Sequence, residues 1–273
     1  MRRGEAATLR VRSGEIELEL RDEGRGPPAL LLHGFPTSNR LWDAVIPRLR
    51  DAGLRCIAPD LAGYGLSDAP ADGEPRMKRQ ADWLAGLLDA LKLDSALIVA
   101  HDIGSAAAEI LVADAPERVR GLVIADGVYA DQWAMEWVES VQQWDSRKAA
   151  RLAPVLARRL RSPTLPAAAV DAMLSAYEGE RGGLRLIAAA RALHPSETAT
   201  RLPALRAAGV PALVLWGSED RYLPIDSVAR PLADLLRAEL RLIPGGHFLP
   251  AEAPQRVAEE IIEFEKSLRS RGR

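Results

Sequence analysis

Apolar positions along this chain fall into short blocks separated by amphipathic stretches. Ile16-Glu17-Leu18-Glu19-Leu20 alternates apolar and acidic residues with a period of two, which predicts a half-exposed edge strand. Residues 29–32, 55–58, 96–100, 119–125, 211–216 and 239–243 also read as strands. Most of these are continuous apolar runs of the kind buried on both faces of a sheet. Residues 41–49, 77–91, 105–114, 225–236 and 254–268 have helical spacing. Strand and helix alternating in this way predict an α/β fold, a mostly parallel, doubly wound sheet covered by helices. The alternation stops between about 126 and 202. That stretch is helix-like, rich in Ala and Arg, and interrupted by Pro154, Pro163, Pro166 and the Gly179, Gly182, Gly183 cluster. The spacing therefore predicts a core built from 1–127 and 203–273, with 128–202 as a helical cap. The cap is expected over the carboxyl ends of the strands, where open α/β sheets place their ligands.

The strongest chemical signal lies where the strand at 96–100 meets the helix that follows. Ala100-His101-Asp102-Ile103-Gly104 has small residues flanking an acid at a sharp strand-to-helix turn. Such a turn lifts one side chain clear of the sheet. A carboxylate attacking an acyl carbon would give a strained anhydride, whereas attack on a saturated carbon bearing a leaving group gives an ordinary ester. That covalent intermediate divides one hard displacement into two easier steps. Asp102 is thus a candidate nucleophile for an epoxide carbon or a carbon–halogen bond. Its plainer role would be to cap the helix.

Two further residues stand at strand ends in loops. Asp220 follows the strand at 211–216, and His247 follows the strand at 239–243 within Gly245-Gly246-His247-Phe248. In the order nucleophile, acid, base, Asp220 would orient the imidazole and His247 would take a proton from water. After the apolar run at 29–32, His33-Gly34-Phe35-Pro36 can bring the Phe35 backbone N–H towards the turn, beside that of Ile103. Two such donors would stabilise the oxyanion formed as water attacks the enzyme ester. Ser105 stands one helical turn too far along to be the nucleophile of an ordinary esterase.

Composition narrows the setting. With 273 residues, 48% hydrophobic content and a net charge of -2, the chain suits one domain with an insertion and gives no reason to expect nucleic acid as partner. Cys56 is the only cysteine, which excludes an internal disulfide and a cysteine metal cluster. No apolar run approaches the roughly 20 residues that span a bilayer, and residues 1–14 lack the apolar segment of a secretory signal. A cytoplasmic monomer or homodimer, acting on a small apolar organic molecule without cofactor, metal or membrane, is the expectation.

These motifs together resemble a known family. His33-Gly34-Phe35-Pro36-Thr37-Ser38 with Trp42, the glycine-punctuated loop from Asp60 to Asp68, His101-Asp102-Ile103-Gly104, Trp216-Gly217-Ser218-Glu219-Asp220 and Gly246-His247-Phe248-Leu249 are similar to those of α/β-hydrolases of the epoxide hydrolase and haloalkane dehalogenase branch. The resemblance implies Asp102 as nucleophile, His247 as base, Asp220 as acid, and Phe35 and Ile103 as backbone donors. Some dehalogenases of this branch carry the acid one strand earlier, which makes Asp126 the alternative. Haloalkane dehalogenases usually grip the halide through a Trp after the nucleophile and a second Trp or Asn; Ile103 and Phe35 stand in those places here. Fluoroacetate dehalogenases carry arginines after the nucleophile, and residues 103–109 contain none. Epoxide hydrolases use two cap tyrosines to protonate the opening oxygen, for which this cap offers Tyr129 and Tyr177. Trp133, Trp137 and Trp144 could donate from their indoles or pack the cap, with packing favoured. The leading expectation is an epoxide-opening hydrolase, with a dehalogenase second and a non-catalytic binding protein of the same fold third.

Overall fold

The computed structural model describes residues 7–145 and 147–271. Eight strands form a single sheet: β1 (Ala7–Ser13), β2 (Ile16–Gly24), β3 (Pro28–Leu32), β4 (Arg55–Pro59), β5 (Ala96–Asp102), β6 (Val119–Gly127), β7 (Ala212–Gly217) and β8 (Glu239–Ile243). Their order across the sheet is β1-β2-β4-β3-β5-β6-β7-β8. The β1–β2 and β2–β4 pairs are antiparallel and every later pair is parallel. The helices before the insertion are α1 (Ile46–Asp51), α2 (Met77–Ala90) and α3 (Ile103–Asp114). The stretch between β6 and β7 holds α4 (Met135–Gln142), α5 (Leu152–Leu160), α6 (Ala167–Leu174), α7 (Gly179–Arg191), α8 (Ser196–Ala199) and α9 (Leu202–Ala208), and no strand among its described residues. The chain closes with α10 (Arg230–Leu236), α11 (Leu249–Glu252) and α12 (Pro254–Arg271).

The central strands β3 and β5 are buried almost throughout, as their unbroken apolar runs require. The edge assignment made from the sequence needs correction. The strand beginning at Ile16 lies inside the sheet, because Leu9 and Val11 alternate with Arg10 and Arg12 in a preceding strand that pairs along its length. The helix expected at 41–49 is also divided. A 3₁₀ turn at Asn39–Trp42 ends before α1, which has Pro47 in its first turn, where the missing N–H costs no hydrogen bond. Gly182 and Gly183 do not interrupt the insertion; they lie inside α7 and let it pack closely. A Cβ on Gly183 would stand 2.0 Å from the Ala149 carbonyl oxygen. No helix among the described residues is long and apolar enough to cross a membrane.

The inserted helices are fastened to the sheet by specific bonds. The buried Tyr177 hydroxyl donates to the Thr37 carbonyl at 2.7 Å and accepts the Gly65 N–H at 3.0 Å. Ser38 donates to the Met173 carbonyl at 3.0 Å, and Arg185 donates to the carbonyls of Gly65 and Ser67. The Asp60–Asp68 loop, whose glycines fit no phosphate, is therefore the shelf on which α7 rests. At its base, the Asp60 carboxylate accepts the N–H groups of Asn39 and Leu66 and binds this loop to the one after β3.

Candidate active site

Asp102 ends β5 and begins α3 at φ 50°, ψ −127°, a backbone conformation that ordinary L-residues avoid. Strain of this kind costs on the order of 1–3 kcal/mol and persists only where the surroundings enforce it. Here the enforcement is steric. A Cβ on Gly34 would lie 2.3 Å from the Asp102 Cβ, and one on Gly104 would lie 2.5 Å from the His33 carbonyl oxygen. Two glycines thus let the β3 loop close on the turn. The result is a carboxylate standing at the carboxyl edge of the sheet and not folded back as a helix cap; its side chain makes no capping bond.

The two carboxylate oxygens of Asp102 have different surroundings. Oδ1 accepts the Phe35 backbone N–H at 2.8 Å, and the Ile103 N–H also favours the ionised carboxylate. Oδ2 faces His247 Nε2 at 3.5 Å. On the far side of the imidazole, His247 Nδ1 lies 2.9 Å from Asp220 Oδ2. Asp220 is held in turn by the N–H groups of Tyr222 (2.7 Å) and Leu223 (3.1 Å) on Oδ1. His101 Nε2 donates to the His247 backbone carbonyl at 2.8 Å, so the residue before Asp102 also anchors the loop that carries the imidazole.

Electrostatics match this geometry. Burial disfavours a charged imidazole, but Asp220 and Asp102 flank the ring and together hold His247 well above its ordinary 6.5. Burial would likewise raise Asp102, yet the hydrogen bond and charge of His247 bring it below its ordinary 3.8. The resting site is therefore a carboxylate–imidazolium–carboxylate row. Burial lowers His33 and His101 to about 4 and keeps both neutral.

Asp126, the alternative acid, does not touch the imidazole. It ends β6 with no exposed surface, and its Oδ1 accepts the Gly217 N–H at 2.7 Å while Oδ2 has no partner among the described residues. Burial, then the nearby Asp220 charge, push its carboxyl well above the carboxylate range. It is a brace between β6 and β7. Ser105 is also structural: it donates to the Asp102 carbonyl at 2.7 Å and accepts the Val128 N–H at 2.9 Å.

Above Asp102 lies a tight cavity of about 20 Å³, little more than one water needs. Phe35, Ile103, Trp133, Trp137, Tyr222 and Phe248 contribute to its walls. Of the three cap donors expected from the sequence, none is placed to serve. The Tyr177 hydroxyl is committed to Thr37 and Gly65. Tyr129 is outside the described lining of this cavity. Trp133 does form part of the wall, but its indole N–H is donated to the Ala130 carbonyl at 3.1 Å. Tyr222, which sequence reasoning passed over, is the phenol that lines the cavity, with its ring edge-on to His247 at 5.2 Å between centroids. Its position two residues after Asp220 was the available signal. No group of His, Cys, Asp and Glu among the described residues could hold a metal ion.

A family model described as the alpha/beta hydrolase fold matches residues 27–254. The chain belongs to the α/β-hydrolase fold family. Among its relatives, haloalkane dehalogenase 2 of Mycobacterium tuberculosis is 32% identical over 257 residues, 89% of each chain. An epoxide hydrolase of Caballeronia sordidicola is 39% identical over 114 residues, 41% of this chain and 34% of the relative. The crystal structure of the haloalkane dehalogenase DbeA from Bradyrhizobium elkani superposes with a TM-score of 0.81 at 25% identity, covering 97% of this chain and 99% of the other. This α/β-hydrolase is accordingly an enzyme of the hydrolase class.

Proposed function

We propose that this hydrolase opens epoxides through an ester formed on Asp102. The observation that carries the reading is the division of labour between the two oxygens of that carboxylate. Oδ2, on the imidazole side, is the attacking atom, and Oδ1, already on the Phe35 N–H, is the atom that becomes the oxyanion in the second step.

In the first step Oδ2 bonds to an epoxide carbon, the ring C–O bond breaks, and the released oxygen takes a proton from the Tyr222 hydroxyl. Asp102 is then a neutral ester, and one of the two charges that held the imidazolium has gone. The His247 pKa falls, and the proton it gives up balances the one lost by the phenol. Neutral His247 next removes a proton from water, whose oxygen attacks the Asp102 carbonyl carbon. The oxyanion forms on Oδ1 against the N–H groups of Phe35 and Ile103. Collapse releases a diol and restores the carboxylate. Asp220 keeps the ring in the tautomer this sequence needs.

Dehalogenation by the same ester is the second reading, favoured by the full-length resemblance to haloalkane dehalogenases. Against it, Ile103 and Phe35 offer no side-chain N–H to a halide and Trp133 is committed to Ala130, which leaves the indole of Trp137 on the cavity wall as the donor that reading would need. A halide needs N–H donors and no proton, whereas an alkoxide needs the proton that a phenol can give. The test is His247→Gln incubated with 1,2-epoxyhexane and with 1-bromohexane, followed by intact-protein mass spectrometry. The epoxide is expected to add its whole mass at Asp102 and remain. An adduct from the bromide alone would replace this reading by the second, and no adduct from either, with no diol from the unmodified enzyme, would remove both.

A further inference from the structure

Beside the reaction cavity lies a second, wider one of about 140 Å³, and Tyr222, His247 and Phe248 form the wall common to both. Its other side is built from the end of α5, the segment that follows it, and the loop after β7. Three guanidiniums border it, those of Arg159, Arg161 and Arg221. Among the described residues none of the three has an ion-pair partner, in contrast to Arg241, which meets Glu239, Glu260 and Glu263. Two acids share the cavity. Glu252 is already engaged, accepting the N–H groups of Gly246 (2.9 Å) and Phe248 (3.0 Å) and the Thr164 hydroxyl. With Glu219 as the other acid, three guanidiniums share the cavity with two carboxyl groups, one formal positive charge in excess. Arg159 is also tied to the reaction cavity, since its guanidinium lies 4.2 Å above the ring of Trp137, which lines that cavity.

From this juxtaposition we propose that the outer cavity is an anion subsite, and that the substrate is an amphiphile whose carboxylate rests among Arg159, Arg161 and Arg221 while its apolar end reaches Asp102. The placement of the reacting carbon rests on the nucleophile reading above; the anion subsite does not. Planar guanidiniums match a carboxylate through paired N–H donors, and their charge would also draw such a substrate to the entrance. The apolar Trp137 and Phe248 between the two cavities suit the span that joins acid to reacting carbon.

Binding without chemistry separates the two claims. Hexanoate and 1-hexanol are titrated calorimetrically into the unmodified enzyme and into the Arg159→Gln, Arg161→Gln, Arg221→Gln triple variant. Hexanoate is expected to bind about tenfold more tightly than hexanol at low ionic strength, equivalent to one decade in Kd. Added salt should shrink that advantage, because these groups are exposed and therefore screened. The triple variant should lose it, and a triple Arg→Lys variant should retain part of it. Equal affinity for acid and alcohol, no binding of hexanoate, or a preference that survives the triple Gln substitution would each overturn the anion subsite. Turnover then judges the chemistry separately. The ratio of kcat/KM for 5,6-epoxyhexanoate over 1,2-epoxyhexane should fall about tenfold in the triple Gln variant, tracking the lost decade in Kd. Failure of both epoxides to turn over, with the hexanoate preference intact, would sink the epoxide reading and leave the subsite standing.

Discussion

The floor and the roof of this site are built on different principles. Every floor group to which the proposed reaction gives a role sits at the carboxyl end of a strand or in the loop just beyond it: Phe35 after β3, Asp102 at the end of β5, Asp220 after β7 and His247 after β8. Parallel ladders fix those ends relative to one another, running from β3 through β5, β6 and β7 to β8 with register shifts in the β5–β6 pair at Ala96/Leu97 and at His101/Asp102. The roof has no such frame. It is a set of short helices held by a few hydrogen bonds, chiefly those of Tyr177, Ser38 and Arg185. The contrast teaches where precision is needed. Under the proposed reaction covalent chemistry would sit on the rigid part, and the part that would admit and enclose a substrate is attached at a few points.

The most severe way to test the floor is to change Asp220 and Asp126 in turn. Asp220→Asn leaves Nδ1 of His247 facing an amide, and with the wrong tautomer favoured turnover should fall by about 10⁴-fold. Asp126→Asn keeps the acceptor for the Gly217 N–H and leaves the His247–Asp220 pair in place, so turnover should stay within about tenfold. Steady-state kinetics on one epoxide decides between them. A larger loss at Asp126 would mean that the acid role belongs to β6.

Tyr222→Phe tests the boundary between the regions, because this residue stands on the floor but faces the cavity under the roof. Removing a general acid costs about 10²-fold or more. The loss should appear in the rate of ester formation, measured as the mass adduct grows in a His247→Gln background. If adduct formation is unaffected, the phenol is only a wall and another donor serves the opening oxygen.

Much of the floor was legible in the sequence because its signals are local. A carboxylate between Ala100 and Gly104 after a buried strand could also have been a helix cap, and Asp220 and His247, each a few residues past an apolar run, turned the reading towards chemistry. The roof was not legible. Tyr177 and Tyr129 carry hydroxyls in the expected region, but a donor role depends on where helices of the insertion pack, and no short-range pattern encodes that. Tyr177 illustrates the difficulty: its partners, Thr37 and Gly65, lie more than a hundred positions away in the chain. The choice between Asp220 and Asp126 was open for a related reason. Both end parallel strands, and only the tertiary placement of the His247 loop selects one. The first strand was missed because the sheet's margin at Ile16 already looked complete.

Tyr177→Phe sharpens the comparison from the other side. It removes a bond to the Thr37 carbonyl and leaves the buried Gly65 N–H without its acceptor, which costs about 1–3 kcal/mol. The expected result is a lower Tm and a raised KM, with kcat changed by less than about threefold, about 0.65 kcal/mol on the barrier, since no reacting atom is touched. A loss confined to kcat would instead place the hydroxyl in the chemistry and undo the distinction between floor and roof.

The smallest effect concerns pH and stability. Because the folded site raises His247 above 6.5, its contribution is fully present below that value and is lost as pH rises through the higher folded pKa. Asp126 acts in the same direction, since its raised pKa makes ionisation of the folded protein costly as pH increases. Asp102 acts at the opposite end; its lowered pKa contributes stability above its ordinary 3.8 that disappears as pH falls through the folded value. Thermal unfolding followed from pH 6.5 upward should therefore show Tm declining, with each group contributing at most about 1.4 kcal/mol per pH unit. His247→Gln should flatten that decline, and Asp126→Asn should alter it as well, since the Asp126 carboxyl feels the charges of Asp220 and His247 and does not titrate independently of them. A decline that is unchanged in both variants would mean that the carboxylate–imidazolium–carboxylate row is not the charge state in which the floor folds.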